Sequence, residues 1–402
     1  MLVNTPPMGW NSWNTFGNEI SDKLIREIAD KFIELGLDKA GYNYVVIDDC
    51  WSEKDRDPVS GRIVPDKKKF PKGMKAVSDY VHKKGLKFGM YSCAGVRTCA
   101  DYPGSFDHEF LDAQTFADYG CDFLKYDFCF RPPTANCPLL YRRMANALRA
   151  TGRDILFSAC NWGQEDVWSW ARSAGAHMYR STGDINDSPT SFSDIAKSQM
   201  DKFCFSGPQC FNDMDMLTVG MYGKGNVGHG AGDLTKEEKE LYFRRYQNQF
   251  ALWCVMGSPL MLGSDIRKMD QDILDLITNK DLIAINQDPE CRPAYVAHTS
   301  WVPAGEACAL ARLLSDGSMV VAYFNFVDQK HSLSVLNEII GYPASAGFDL
   351  LYKDVFTGVE MVETKERHTE VLPPYGCRVF IVKPVPKGSE ISAKPARGKK
   401  KK

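Results

Sequence analysis

Between residues 7 and 264 the chain repeats one pattern: a short apolar run, a helical stretch, then another apolar run. The apolar runs fall at 7–13, 42–49, 86–93, 121–129, 155–160, 178–185, 210–216 and 259–264. Helical stretches intervene at 20–37, 72–84, 107–119, 138–150, 165–174, 191–203 and 236–256. In the first of them Leu24, Ile25, Ile28, Phe32 and Leu35 recur at helical spacing, with Asp22 and Lys23 on the polar side. Strand–helix alternation of this kind builds a parallel sheet, because a crossover helix returns each strand to the same end. Eight such units over about 290 residues fit a closed (β/α)8 barrel better than an open doubly wound sheet. No GxGxxG or Walker-type glycine loop opens any of the helices, which argues against a nucleotide-binding fold.

From about residue 291 the texture changes. Short apolar runs at 307–313, 319–326, 348–351 and 377–381 have no helical partners and are separated by turn residues such as Ser315-Asp316-Gly317 and Pro373-Pro374. That pattern predicts an antiparallel β-sandwich. The expected division is a barrel at 1–292, a sandwich at 293–385 and a disordered basic tail at 386–402, ending in KPARGKKKK.

Composition bounds the partners. A formal net charge of −2 gives no electrostatic case for nucleic acid or an anionic membrane as a partner. No run of about 18 apolar residues is present, so no transmembrane helix is expected. The opening MLVNTPPMGW lacks the basic-then-apolar pattern of a signal peptide. The thirteen cysteines show no paired zinc-type spacing, and those within apolar runs, such as Cys121 and Cys254, read as small buried hydrophobes. The expected compartment is therefore cytoplasmic, with a secreted mature form as the alternative. Oligomeric state is not legible.

In a parallel barrel the C-terminal ends of all strands meet at one mouth. This chain brings Trp10 and Trp13, Asp48 and Asp49, Tyr91 and Cys93, and Lys125 and Asp127 to those ends. Asn161 and Trp162, Arg180 and Asp184, and Asp213 and Asp215 complete the ring. Lys125 and Asp127, two apart on one strand, point to the same side of the sheet. Taken alone, that stretch fits a structural ion pair as well as a functional site. Three chemistries compete for the whole ring. A divalent cation would be opposed by Lys125 and Arg180, and no His ligand is offered. Phosphate would need basic residues or glycine loops in excess. A sugar suits best, since carboxylates accept from vicinal hydroxyls and aromatic rings pack on C–H faces. Its hydrolysis needs two carboxyls more.

Eight stretches also resemble, in order, the motifs of one family: MGWNSW, YVVIDDCW, YSCAGVRTC, YPGSFDHE, DAQTFADYGCDFLKYDFC, STGDI, FNDMDML and IAINQDP. They are similar to those of the clan-D α-galactosidases, glycoside hydrolase family 27, which also holds α-N-acetylgalactosaminidases. The resemblance runs from residue 6 to 289 and implies the same barrel followed by an antiparallel β domain. It implies that Asp127 is the nucleophile and Asp184 the acid/base. Asp48 and Asp49 would hold the 4- and 6-hydroxyls, and Lys125 would bridge hydroxyls beside the nucleophile. Arg180 would meet the 2- and 3-hydroxyl side, and Trp13 would wall the axial 4-hydroxyl pocket. Tyr91 and Cys99 would flank the sugar, and Asp215 with Met216 would close the acid/base side. Trp162 would belong to the same substrate-binding set. A Cys99–Cys129 disulfide is implied as well.

Two departures stand out. Where the family's α-galactosidases carry CEWG or CEWP, this chain has Cys160-Asn161-Trp162-Gly163. Asn161 is then expected to meet the 2-hydroxyl and to disfavour a 2-acetamido group. Cys50 also lacks its family partner, because the stretch that would supply it reads NTFGN. The resemblance implies a retaining double displacement that needs no metal or organic cofactor, acting on an α-galactoside oligosaccharide or glycoconjugate. α-N-Acetylgalactosaminidase and β-L-arabinopyranosidase are the alternatives within the family. A non-catalytic galactose-binding protein is the alternative outside it.

Overall fold

The computed structural model describes residues 2–298 and 305–390. The last twelve residues, which hold the basic stretch and most of the tail expected at 386–402, lie outside them. Contacts divide the chain into two compact units, Met1–Leu234 with Ser258–Thr278, and Thr235–Gly257 with Asn279–Lys402.

The first unit is built on eight parallel strands: β1 (Met8–Asn11), β2 (Tyr44–Val46), β3 (Lys87–Cys93), β4 (Phe123–Asp127), β5 (Leu156–Cys160), β6 (Met178–Arg180), β7 (Phe211–Asp213) and β8 (Leu260–Leu262). They lie in the order β7-β6-β5-β4-β3-β2-β1-β8. Closure comes just past β7, where Leu217 forms a parallel bridge to Leu262. Leu217 N–H donates to the Met261 carbonyl at 2.8 Å and its own carbonyl accepts from Gly263 at 2.9 Å. The strands are buried on both faces, which is why they read as continuous apolar runs rather than alternating ones. Close packing is explicit at Gly9, where a Cβ would stand 2.5 Å from the Tyr44 carbonyl oxygen of the neighbouring strand.

The strands are shorter than the apolar runs that announced them. Tyr44–Val46 ends before Asp48, and Met178–Arg180 ends before Asp184. These carboxylates therefore stand on the loops that leave the strands. The helix expected at 165–174 begins later, at Val167, after a 3-10 turn (Gln164–Asp166). Glu165 and Asp166 there have φ of 53° and 51°, a left-handed backbone that an α-helix does not tolerate.

The second unit joins the long helix Lys236–Met256 to an antiparallel sandwich. Its strands are β9 (Tyr295–Val296), β10 (Ala307–Leu313), β11 (Met319–Asn325), β12 (His331–Leu336), β13 (Phe348–Asp354), β14 (Glu360–Glu363), β15 (Arg367–Leu372) and β16 (Cys377–Pro386). A six-stranded sheet, β14-β13-β16-β11-β10-β9, faces the pair β12-β15 across a core that includes Tyr323, Leu333, Val335, Tyr352, Leu372 and Phe380. The long helix starts with a Thr235–Glu238 capping box. It is tied to the sandwich by Asn248, whose Nδ2 donates to the Asn325 carbonyl at 2.8 Å. The buried Arg312 of β10 donates to the carbonyls of Cys254 and Val255 in its last turn, at 3.3 and 3.2 Å, where a cation also suits the helix dipole. Those contacts group the helix with the sandwich, although in chain order it lies between β7 and β8. Among the described residues no helix is long and apolar enough to cross a membrane.

Candidate active site

At the C-terminal mouth of the barrel one cavity is lined by Trp13, Asp48, Asp49, Tyr91, Cys99, Lys125, Asp127, Arg180, Asp184, Asp215 and Met216. Each is a residue expected at the site from the sequence. Asn14, Ile185 and Val227, which were not expected, complete the wall.

The wall from β1 to β4 is a web of hydrogen bonds. Asp48 Oδ2 accepts from Asn11 Nδ2 at 2.7 Å and pairs with Lys125 Nζ at 2.8 Å. Its Oδ1 accepts the Asp49 N–H at 3.0 Å. Asp49 in turn accepts from the backbone of Cys50 at 2.7 Å and of Ala100 at 3.0 Å. Lys125 therefore pairs across the sheet with Asp48, not with the Asp127 beside it on β4. The pairing keeps Lys125 charged against the burial that opposes it. Asp127, 5% exposed, accepts from Tyr91 Oη at 3.1 Å through Oδ2 and from the Phe128 N–H at 2.9 Å through Oδ1. Burial pushes its carboxyl up to about 6, and Lys125 restrains the rise. Cys99 and Cys129 are joined as a disulfide, with their Cα atoms 5.2 Å apart, beside the loop that follows β4.

The opposite wall is organised on Arg180, at the end of β6. Its guanidinium pairs with Asp184 at 2.9 Å and with Asp215 at 3.0 Å, and it donates to the Thr182 carbonyl at 3.1 Å. The side chain of Asp184 is 68% exposed, whereas Asp215 is buried. Asp215 Oδ2 also accepts the Ile185 N–H at 2.8 Å, so it grips the backbone next to Asp184. The surrounding protein works against charge on Asp184, but Arg180 and Lys125 outweigh it and hold the carboxyl below its usual range. Burial raises Asp215 despite the same arginine.

Asn161 and Trp162 do not reach this cavity. Asn161 is fully buried, and its Nδ2 donates to the Gln164 carbonyl at 2.6 Å and meets Cys137 Sγ at 3.3 Å. The reason is local. Trp162 and Gly163 both take positive φ, 59° and 85°, so the chain doubles back after β5 and the Asn161 amide closes that turn. The ring of Trp162 lies 6.5 Å from that of Phe128, edge on.

Val227 enters from a glycine-rich loop, GMYGKGNVGHG, which follows β7 and the Leu217 bridge. That loop is laced to the β1 loop: Val227 N–H donates to the Asn14 carbonyl at 3.0 Å and Asn226 N–H to that of Thr15 at 3.1 Å. Gly225 permits the approach, since a Cβ there would stand 2.9 Å from Thr15 Cα at a φ of 90°. The glycine density was the one signal in the sequence that this loop makes close contacts.

Comparisons with known proteins bear on the chain as a whole. A family model described as alpha galactosidase A, Melibiase_2, matches residues 5–288. An alpha-galactosidase of Cyamopsis tetragonoloba is 45% identical over 288 residues, which are 71% of this chain and 65%, just under two thirds, of that protein. Alpha-galactosidase 3 of Arabidopsis thaliana is 37% identical over 395 residues, 95% of this chain and 83% of its own. The crystal structure of alpha-galactosidase I from Mortierella vinacea superposes with a TM-score of 0.83 at 29% identity, covering 95% of this chain and 97% of that one. The chain belongs to the alpha galactosidase A family of glycoside hydrolases.

Proposed function

We propose that the protein is a retaining exo-glycosidase that removes terminal α-linked galactose from oligosaccharides or glycoconjugates. The observation that carries this reading is the pairing of two aspartates with opposite surroundings on one cavity: Asp127, buried at a strand end, and Asp184, exposed on a loop. Asp127 attacks the anomeric carbon as the bond to the departing oxygen breaks, and Asp184 delivers a proton to that oxygen. The product of this step is a galactosyl ester of Asp127. Water then enters, Asp184 takes its proton, and the ester bond gives way to galactose with its configuration retained.

The protein's own groups leave these carboxyls in the reverse poise, with Asp127 raised and Asp184 lowered. The sugar resets them. Hydroxyls that take up Arg180's donors release Asp184 from its ion pair, and a sugar seated over the exposed carboxyl shields it from water, so that it holds its proton. Asp127 meanwhile keeps its two donors, Tyr91 and the Phe128 N–H, both of which favour the carboxylate.

NMR of the first-formed sugar tests the scheme. α-Galactose from an α-galactoside is expected, and β-galactose would overturn double displacement. A second reading, α-N-acetylgalactosaminidase, is favoured by one observation: Asn161 is turned away from the cavity and does not close it to a 2-acetamido group. Rates on aryl α-galactoside, α-N-acetylgalactosaminide and β-L-arabinopyranoside decide among the three, with the galactoside expected to be fastest.

A further inference from the structure

Asp213 ends β7 and is 6% exposed, yet it does not line the cavity in which Asp127 and Asp184 meet. It borders instead a smaller cavity of about 20 Å³ inside the barrel, which shares Lys125, Arg180 and Asp215 with the first and also reaches Ser158. That volume suits a single water. Arg180 is 3% exposed and its Nε–H has no protein acceptor, so the small cavity has buried polar walls of the kind that retain one.

The Oδ1 of Asp213 accepts the N–H of Asp215 at 2.9 Å. Asp215 stands at a φ of 77°, a left-handed conformation that a non-glycine residue keeps only where its surroundings hold it. The consequences of that turn converge on Asp184. Through it, Asp215 Oδ1 reaches Arg180 at 3.0 Å and Oδ2 reaches the Ile185 N–H at 2.8 Å. One contact orients the guanidinium that pairs with the Asp184 carboxyl until sugar takes its place, and the other pins the backbone immediately after Asp184 throughout.

We propose that Asp213 is a positioning residue for Asp184, acting through the Asp215 turn and without touching the sugar. The inference rests on the reading of Asp184 as acid/base. Burial pushes the Asp213 carboxyl up to about 7, with Arg180 opposing the rise. At lower pH it is therefore a neutral acceptor, whose shape and charge asparagine copies. The charged groups around it are Arg180 on β6, Lys125 on β4 and Asp215 on its own loop.

The test measures kcat/KM on two classes of α-galactoside, one with a sugar or alkyl leaving group that needs a proton and one with a 2,4-dinitrophenyl group that does not. Asp213→Ala should lose roughly 30- to 100-fold on the first class, the scale expected when a catalytic group is displaced by about 1 Å. On the second class the loss should be under about threefold, and Asp213→Asn should stay within about threefold of the parent on both. Asp213→Leu, close to asparagine in shape but with no acceptor for the Asp215 N–H, replaces the alanine variant should the latter not accumulate as folded protein. Equal losses on the two classes, no loss at all, or an asparagine variant as damaged as the alanine would each overturn the proposal. Asp184→Asn, assayed alongside, separates the two ideas. If it shows the leaving-group split and Asp213→Ala does not, only the positioning role falls. If Asp184→Asn itself shows no split, the acid/base reading falls.

Discussion

Asp127 and Asp184 face one cavity from supports of opposite kind. Asp127 is the last residue of a strand and is held by neighbours whose places the sheet dictates: Tyr91 and Lys125 are register partners on β3 and β4. Asp184 lies four residues beyond the end of β6 and is held by ion pairs, through Arg180 to Asp215. The first support is backbone geometry and the second is electrostatics on a loop. Rigid supports suit a nucleophile that must meet one carbon at one angle. A loop-borne carboxyl can exchange an arginine for a sugar and so change its hold on a proton.

The largest effect should come from the strand side. Asp127→Asn is expected to lower turnover about 10³-fold or more, as loss of a nucleophile does. The same variant should be more stable than the parent at pH 7. The Asp127 carboxyl rises from 3.8 to about 6 in the folded state, so folding binds a proton that the unfolded chain releases. Ionisation of the buried group therefore destabilises the fold progressively as pH rises from about 4 to 6, by roughly 3 kcal/mol in all. Asparagine escapes that penalty. Urea unfolding at pH 7 and pH 4 checks the sign: the gain should be present at the higher pH and absent at the lower. A gain that grows on acidification would mean that Asp127 is held as a carboxylate and that its environment has been misread.

The loop side should respond differently. Asp184→Asn is expected to lose about 10²- to 10⁴-fold on galactosides whose leaving group needs a proton and far less on activated aryl galactosides. Equal losses on both would remove the functional contrast between the two walls. No gain in stability at pH 7 is expected here, because Arg180 and Lys125 hold Asp184 below its usual range rather than above it. Removing its charge gives up a favourable pairing, discounted heavily because the side chain is 68% exposed.

How well each wall could be read from the sequence follows the same division. A residue on a parallel strand has its direction dictated by the strand, so Tyr91, Lys125 and Asp127 could be placed at the mouth from alternation and order alone. Their partners could not, because the sequence fits a pairing of Lys125 along its own strand equally well. On the loops the direction of a side chain depends on backbone angles that composition does not reveal. Asn161 follows β5 directly, yet the left-handed Trp162 and Gly163 turn its amide away from the cavity. Val227 arrives from a loop with no strand end to announce it. In the sandwich the same physics applies. The largely apolar β10 and β11 were legible, while β12, which buries only Leu333 and Val335, and the largely exposed β14 were not.

A smaller effect sharpens the strand side further. Tyr91→Phe removes the 3.1 Å hydrogen bond to Asp127 Oδ2 without emptying the site. A hydrogen bond to a charged group contributes about 1.5–3 kcal/mol, so a loss of roughly 10- to 100-fold in kcat/KM is expected. Its donor favours the carboxylate, so its loss should also move the acidic limb of the pH profile upward. An unchanged limb would assign that limb to some group other than Asp127.

The smallest effect should be at Asn161, and it separates the residue type at a position from where that residue points. By family likeness alone, Asn161→Ser would open the 2-position and move preference toward the N-acetylated sugar. The structure gives the opposite expectation, because the amide is committed to the Gln164 carbonyl at 2.6 Å and none of Asn161 lines the cavity. Serine cannot reach that carbonyl in the same way, so the turn after β5 should lose about 0.5–1.5 kcal/mol of stability, the usual worth of one hydrogen bond. The ratio of kcat/KM for α-galactoside over α-N-acetylgalactosaminide should move by less than about threefold, below the tenfold that 1.4 kcal/mol of differential binding would produce. Melting temperature and that ratio, measured on the same preparation, decide the matter. A stable variant with a strongly shifted ratio would mean that Asn161 swings into the cavity when sugar binds, and the loop wall would then rearrange far more than the strand wall.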